Sequence, residues 1–279
     1  MSFRVAFYFY GQIRCSKACI EYFVKNVLQT CPYEYDVFIS TWKNNLQQEN
    51  IDFLNEKLKP KIFELSDIEK KTEENSKYIE DIKNAANPIY VFYIRYLMLK
   101  NYENIIKYEE TNSVNYTHMF QIRTDVLFFN NFPWDSIDFN SDILYVKNPV
   151  HPDRVDDEFT FSTKKNMELY VKYFNYIPIF NVEVFCKMFN TNTPPLILYL
   201  LLNKVDIVRL NLDYWLVRCF ELNDNYYYDL QHRDYVYDLP NFPNKELIEQ
   251  LNRDNFAEWR IGYYLYNRNF DGKDARSYP

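Results

Sequence analysis

The sequence predicts an α/β chain: a mostly parallel central sheet flanked by helices, in one domain with an irregular C-terminal extension. Two observations predict that class. Short aromatic and β-branched runs alternate with helical stretches from residue 4 to about residue 220. The first of those runs, "RVAFYFY", also lacks polar alternation, as a strand covered on both faces does. No internal repeat or low-complexity linker interrupts the series. We therefore expect a core over residues 1–220 and a tyrosine-rich extension over 221–279 packed on that core, at a binding site or a subunit interface.

Each element has its own signal. "RVAFYFY" (4–10) reads as a buried strand ending at Gly11, the only glycine before Gly262. Residues 17–30 place apolar side chains at 20, 23, 24, 27 and 28, which is helical spacing. "YDVFIS" (35–40) is a second strand, 43–58 a polar helical connection and "KIFEL" (61–65) a third strand. Residues 66–87 are charged and poor in apolar side chains, so a mobile surface excursion is expected. Pro88 suits the first turn of a long helix, "IYVFYIRYLMLKNYENIIKYEE". "YTHMFQIR" (116–123), "DILYV" (142–146) and "EFTFS" (158–162) follow as strands, and "KKNMELYVKYF" and "TPPLILYLLLNK" as helices. "VDIVRLN" and "YWLVRCF" continue the alternation.

Composition excludes several function classes. The formal charge of −7 is diffuse and provides no basic stripe for a nucleic-acid backbone, although a small phosphorylated ligand needs only a few local cations. Five scattered cysteines without a C-x-x-C pair suggest neither a zinc ribbon nor a disulfide framework, so a reducing, cytoplasmic setting is expected. No secretory signal is recognised, and the longest apolar run, "LILYLLL", is too short to span a bilayer. Three glycines exclude both G-x-G-x-x-G and the P-loop. The 27 tyrosines and 23 phenylalanines fit an AT-rich coding bias, which argues against reading every ring as a stacking platform.

In an open parallel sheet, ligands gather outside the carboxyl ends of the strands. After the first strand come Tyr10, Gly11, Gln12 and Arg14: a glycine free to adopt φ > 0 and a guanidinium suited to phosphate, or a plain strand-to-helix turn. After the second come Ser40, Thr41 and Trp42, a hydroxyl-and-ring set for a base or ribose, or a helix cap. Arg95 lies on an apolar helical stretch and must snorkel to water or find a partner, a phosphate or a structural carboxylate. Arg123 and Asp125 emerge at the end of the fourth strand, where alternation would put them on one face. A carboxylate there suits a hard divalent cation bridging a diphosphate; the alternative is a self-contained ion pair. Asp156, Asp157 and Glu158 crowd together before a strand, as a solvated loop or as groups meeting a cation or a hydroxylated ligand.

These segments, in this order, resemble a family of GT-A-fold glycosyltransferases of bacteria and large DNA viruses. The resemblance rests on G-x-x-R (Gly11 to Arg14), "DVFISTW" (Asp36 to Trp42), the long helix, R-x-D-x-x-F (Arg123 to Phe128), D-[DEQ]-F-x-F (Asp157 to Phe161) and "LVR" (Leu216 to Arg218). It implies a GT-A-like (Rossmann-like) sheet and transfer of a sugar, most commonly from UDP, to an acceptor hydroxyl. Gly11, Gln12, Arg14, Thr41 and Trp42 would hold the nucleotide, and Arg95 and Arg123 its phosphates. Asp125 would carry Mn²⁺ or Mg²⁺, and Asp157, with Glu158 beside it, would serve as base or sugar-binding acid. The broader fold carries D-x-D where this chain has R-x-D. Asp125 therefore either ligates a metal with help from Asp157, or Arg14, Arg95 and Arg123 balance the diphosphate without one. Gln121 stands where another arginine is expected, and Ser162 where a glycine is usual. Expected partners are a nucleotide-sugar and a glycan or other hydroxyl acceptor; a homodimer stays open. The rival classes are a non-catalytic glycan- or protein-binding module and a sugar nucleotidylyltransferase, the latter disfavoured by the single early glycine.

Overall fold

The computed structural model describes residues 3–11, 13, 17–43, 46, 48–82, 88–124, 126–128, 130–147, 158–176, 196–210, 212, 214–216, 218–220 and 260–262. Seven strands form the main sheet: β1 (Arg4–Tyr10), β2 (Glu34–Trp42), β3 (Ile62–Ser66), β4 (His118–Arg123), β6 (Ile143–Lys147), β7 (Phe159–Thr163) and β8 (Asp206–Leu210). Their order is β3-β2-β1-β4-β7-β6-β8. β1 to β4 run parallel, β7 alone is reversed between β4 and β6, and β8 runs parallel to β6. The expected class, a mostly parallel sheet between helices, is the one observed.

Helices cover both faces, as parallel crossovers require. Val5, Phe7 and Phe9 point to a core shared with α1 (Lys17–Phe23) and α2 (Gln48–Leu58). Ala6, Tyr8 and Tyr10 point to a second core beneath α5 (Pro88–Asn112), α6 (Lys164–Tyr176) and α7 (Leu196–Leu202). Both sets of β1 side chains are buried, which explains the uninterrupted run. The first core is rich in aromatic rings: Phe7 meets Phe120 at 4.9 Å, and Phe120 meets Phe159 at 4.8 Å. Each such ring contributes about 2 kcal/mol by burial. The second core holds a polar chain, in which Tyr8 Oη donates to Gln121 Oε1 at 2.8 Å and Gln121 Nε2 lies 3.5 Å from Tyr170 Oη. Burial, with Tyr170 and Tyr102 close by, raises the Tyr8 pKa well above its ordinary value, so the hydroxyl stays a donor.

Three expectations change. The charged stretch after β3 is not a featureless excursion: α3 (Ile68–Glu74) is capped by Asp67, whose carboxylate accepts from Lys70 N at 3.0 Å, and α4 (Ser76–Asp81) follows. Tyr78, Ile79 and Ile82 pack on the α5 side, so sparse apolar residues at helical spacing suffice to dock the pair. The first helix becomes a π-turn over Val24–Leu28, which buries Asn26 so that its Nδ2 donates to Phe128 O at 2.7 Å. "YWLVRCF" forms two short strands outside the main sheet. β9 (Tyr214–Leu216) pairs with β5 (Val126–Phe128), and β10 (Arg218–Phe220) with β11 (Arg260–Gly262). Residues 221–259 and 263–279, most of the expected extension, lie outside the described residues. No described helix is long and apolar enough to cross a membrane.

Candidate functional site

The strand order places the site. The chain builds β1, β2 and β3 outward in one direction, then starts β4 on the opposite side of β1. Neighbouring crossovers diverge at such a reversal and leave a crevice outside the carboxyl ends of the two strands. Tyr10, the last residue of β1, lies in register between Ser40 and Arg123. Because β7 is reversed, its amino end meets the carboxyl ends of β4 and β6. One rim thus collects Gly11, Ser40 to Trp42, Arg123, Glu158 and Lys147.

Gly11 has φ +101°, a region where side chains are strained. Nothing lies within 4 Å of the position a Cβ would occupy, so the backbone faces open space. Thr41 Oγ1 donates to Gly11 O at 2.7 Å and fixes the turn. Ser40 Oγ donates to Asn101 Oδ1 at 2.9 Å, and Asn101 Nδ2 donates to Phe9 O at 2.7 Å, stitching α5 to the ends of β1 and β2. Trp42 is buried and stacks on Tyr96 at 5.5 Å and 19°, with Tyr93 edge-on at 5.4 Å. Ser40, Thr41 and Trp42 therefore build the wall of the crevice, with their hydroxyls and ring engaged inside the protein.

Arg123 ends β4, the central strand, and is 8% exposed. Its N–H donates to Glu158 O at 3.2 Å, one step beyond the β4–β7 register. The strand stops there and Thr124 turns, so alternation within β4 does not carry on to Asp125. Glu158 Oε2 lies 3.9 Å from Lys147 Nζ, and both side chains are largely covered. Arg95 sits elsewhere on α5: its Nη1 is 3.7 Å from Met98 Sδ, and its charge opposes the burial that raises the Tyr78 pKa, so it faces α4 rather than β4. Gln12, Arg14, Asp125, Asp156 and Asp157 lie outside the described residues, as does His232, which would be a further metal-ligand candidate.

Sequence reasoning missed two contributors. Lys147 closes an apolar strand, and the only signal was a lysine directly after "ILYV". Asn101 lay inside the long helix, where its buried position could not be read from periodicity. A divalent cation needs several hard oxygen ligands. Among the described residues no three side chains form such a group, and Glu158 is paired with Lys147. The described rim does not make a metal cage.

Fold and rim together define an α/β protein with a sheet switch point whose rim carries a positive-φ glycine and buried charged side chains. No known protein family matches the sequence, and no curated protein matches it. Matching solved structures include the apo crystal structure of mouse xyloside xylosyltransferase 1, at TM-score 0.44 and 9% identity over 75% of this chain and 85% of that one. A likeness that distant carries no argument about activity.

Proposed function

We propose that the protein is a glycosyltransferase that moves a sugar from a nucleotide-diphosphate donor, a UDP-sugar, to an acceptor hydroxyl. One observation carries this reading: Gly11 and Arg123 close adjacent strands at the switch point, the first offering open backbone and the second a buried cation. That pairing suits a diphosphate, which needs close approach and fixed positive charge. The sequence resemblance named above points to the same class.

The chemistry follows from charge. As the sugar's bond to the diphosphate breaks, negative charge grows on the leaving phosphate, and stabilising it is usually the largest catalytic term. Arg123 performs that task from the end of β4, with Arg14 assigned to join it. Gly11 lets the phosphates approach the backbone, while Tyr10, Ser40, Thr41, Trp42 and Gln12 frame the nucleoside side. Asp157 or Glu158 takes the acceptor proton or binds the sugar. Asp125 is the residue we assign to Mn²⁺ or Mg²⁺, if the donor is held through one; no step here depends on it.

Thermal unfolding with UDP tests the reading. At a hundredfold excess over Kd, binding stabilises by about 2.7 kcal/mol, roughly 5 °C for a chain of this size. A shift that needs Mn²⁺ assigns the cation to Asp125; an equal shift in chelator assigns charge balance to the arginines. A response to free glycan with none to any nucleotide refutes the enzyme and leaves the binding module.

A further inference from the structure

We propose that Asn101 is a positioning residue for the donor diphosphate. With Ser40 and Thr41 it ties the backbone carbonyls on either side of Tyr10 into the protein, so that neither oxygen turns toward an anion at Gly11. This role rests on the glycosyltransferase reading and adds a residue, Asn101, that no motif indicated.

The geometry is a short directed chain of hydrogen bonds. Asn101 lies midway along α5, 92 residues after Phe9, yet its Nδ2 donates to Phe9 O at 2.7 Å. Its Oδ1 accepts from Ser40 Oγ at 2.9 Å. Two residues further along the chain from Phe9, Gly11 O accepts from Thr41 Oγ1 at 2.7 Å. The donor and acceptor roles are forced. A carbonyl oxygen only accepts, so Asn101 must turn its amide nitrogen toward Phe9, and its amide oxygen is left for the Ser40 hydroxyl. Three side chains from two elements thus hold the backbone that brackets Tyr10, the residue in register with Ser40 and Arg123.

Burial separates these groups from any direct contact with a ligand. Ser40, Thr41 and Asn101 are fully buried, so their effect on a ligand passes through the backbone they hold. Gly11 is the opposite: half-buried, at φ +101°, with nothing within 4 Å of where a Cβ would stand. An asparagine is a poor choice for a helix interior, and burying its amide is unfavourable unless both ends find partners. A leucine would fill that space in the core. What the amide adds is a fixed carboxyl end to β1.

A diphosphate is held by backbone N–H groups and cations, whereas a carbonyl oxygen facing it repels it. Phe9 O or Gly11 O swung outward would oppose the ligand where the backbone lies open. Asn101 and Thr41 hold both inward before a ligand arrives, so little is left to organise on binding.

The test compares Thr41→Val and Asn101→Leu with the wild type, and with Thr41→Ser as the rescue, in the intact chain. Displacement of a fluorescent UDP analogue measures affinity for UDP, inorganic pyrophosphate and uridine, well below the unfolding temperature. Thr41→Val keeps the side-chain shape and removes only the donor to Gly11 O, so it decides the matter even if Asn101→Leu fails to fold. UDP and pyrophosphate should weaken together by about fivefold, the effect of one ordinary hydrogen bond, while uridine stays unchanged. Thr41→Ser should restore the wild-type values. Variants with a weakened fold but unchanged UDP affinity would make the network structural only and overturn the inference. Loss of uridine affinity with pyrophosphate untouched would make these residues nucleoside contacts, and overturns it as well. So does wild-type protein that binds UDP but from which pyrophosphate displaces nothing, a result the glycosyltransferase reading survives. Wild-type protein that binds no nucleotide refutes that reading, and this inference with it.

Discussion

Lowering the pH should destabilise the protein through one histidine. His118 opens β4 with its ring stacked on Phe161 at 5.4 Å and 8°, edged by Phe3 and Phe139, and with Nδ1 3.0 Å from Thr117 Oγ1. Burial pushes its pKa down from 6.5 to about 4, with the Asp142 carboxylate pulling the other way. Between those values the unfolded chain binds a proton that the folded chain refuses. Stability is therefore full above the unfolded pKa and falls as the pH drops toward the folded one. The loss is about 2 kcal/mol near pH 5 and approaches about 3 kcal/mol below pH 4. Urea unfolding at about pH 7.5 and about pH 5 reads the difference directly, and His118→Phe provides the control. That substitution keeps an aromatic ring against Phe161 and removes the titrating nitrogen. Four described carboxylates have lowered pKa values in the fold, Glu74 through Lys71, Asp138 through Ser141, Asp142 through Lys165 and Glu168 through Lys172, and these lose their contribution only at lower pH. The other two histidines, His151 and His232, are common to both proteins and cancel. Parallel pH profiles for wild type and variant would refute the reasoning.

Gly11→Ala should destabilise by about 1–2 kcal/mol through its φ of +101° alone, since the added methyl meets no atom. The check is chemical denaturation, together with a nucleotide titration that should weaken as the turn shifts. Asp36→Asn should cost about 2 kcal/mol, discounted for the partial exposure of its partners. Its carboxylate holds Arg4 at 2.7 Å, Tyr116 Oη at 2.7 Å and Lys61 at 3.4 Å at the end of the sheet opposite the rim. Urea unfolding should register the loss while nucleotide affinity stays put, and a matching drop in affinity would contradict that separation.

The parallel strands were legible because burial on both faces writes itself as unbroken apolar runs, as in Val5 to Tyr10. β7 was legible as a strand, but its reversal was not: direction depends on what the intervening segment does, and nothing in "EFTFS" encodes it. That reversal carries Glu158 to the rim beside Arg123. Arg123 was readable because an arginine closing an apolar run must have a partner. Trp42 invited a ligand-stacking role from its sequence neighbours, whereas its stacking partner is Tyr96, on a helix more than fifty residues later. Lys147 escaped notice because a strand-terminal lysine is commonplace until its neighbour across the sheet is known. "YWLVRCF" was apolar enough for a core element, yet it splits between two small ladders that pairing alone reveals.

The reversed seventh strand also sets what can vary in this scaffold. Residues 148–157 leave the sheet at Lys147 and rejoin it at Glu158, so both anchorage points of that segment are themselves the charged groups of the rim. The pairing of β6 with β7 is set by Tyr145 opposite Phe161 and Val146 opposite Thr160, so it does not depend on the length of that segment. Ten residues of sequence are thus tethered at both ends to charged groups of one rim, which ties any change in their number to a fixed pair of strands.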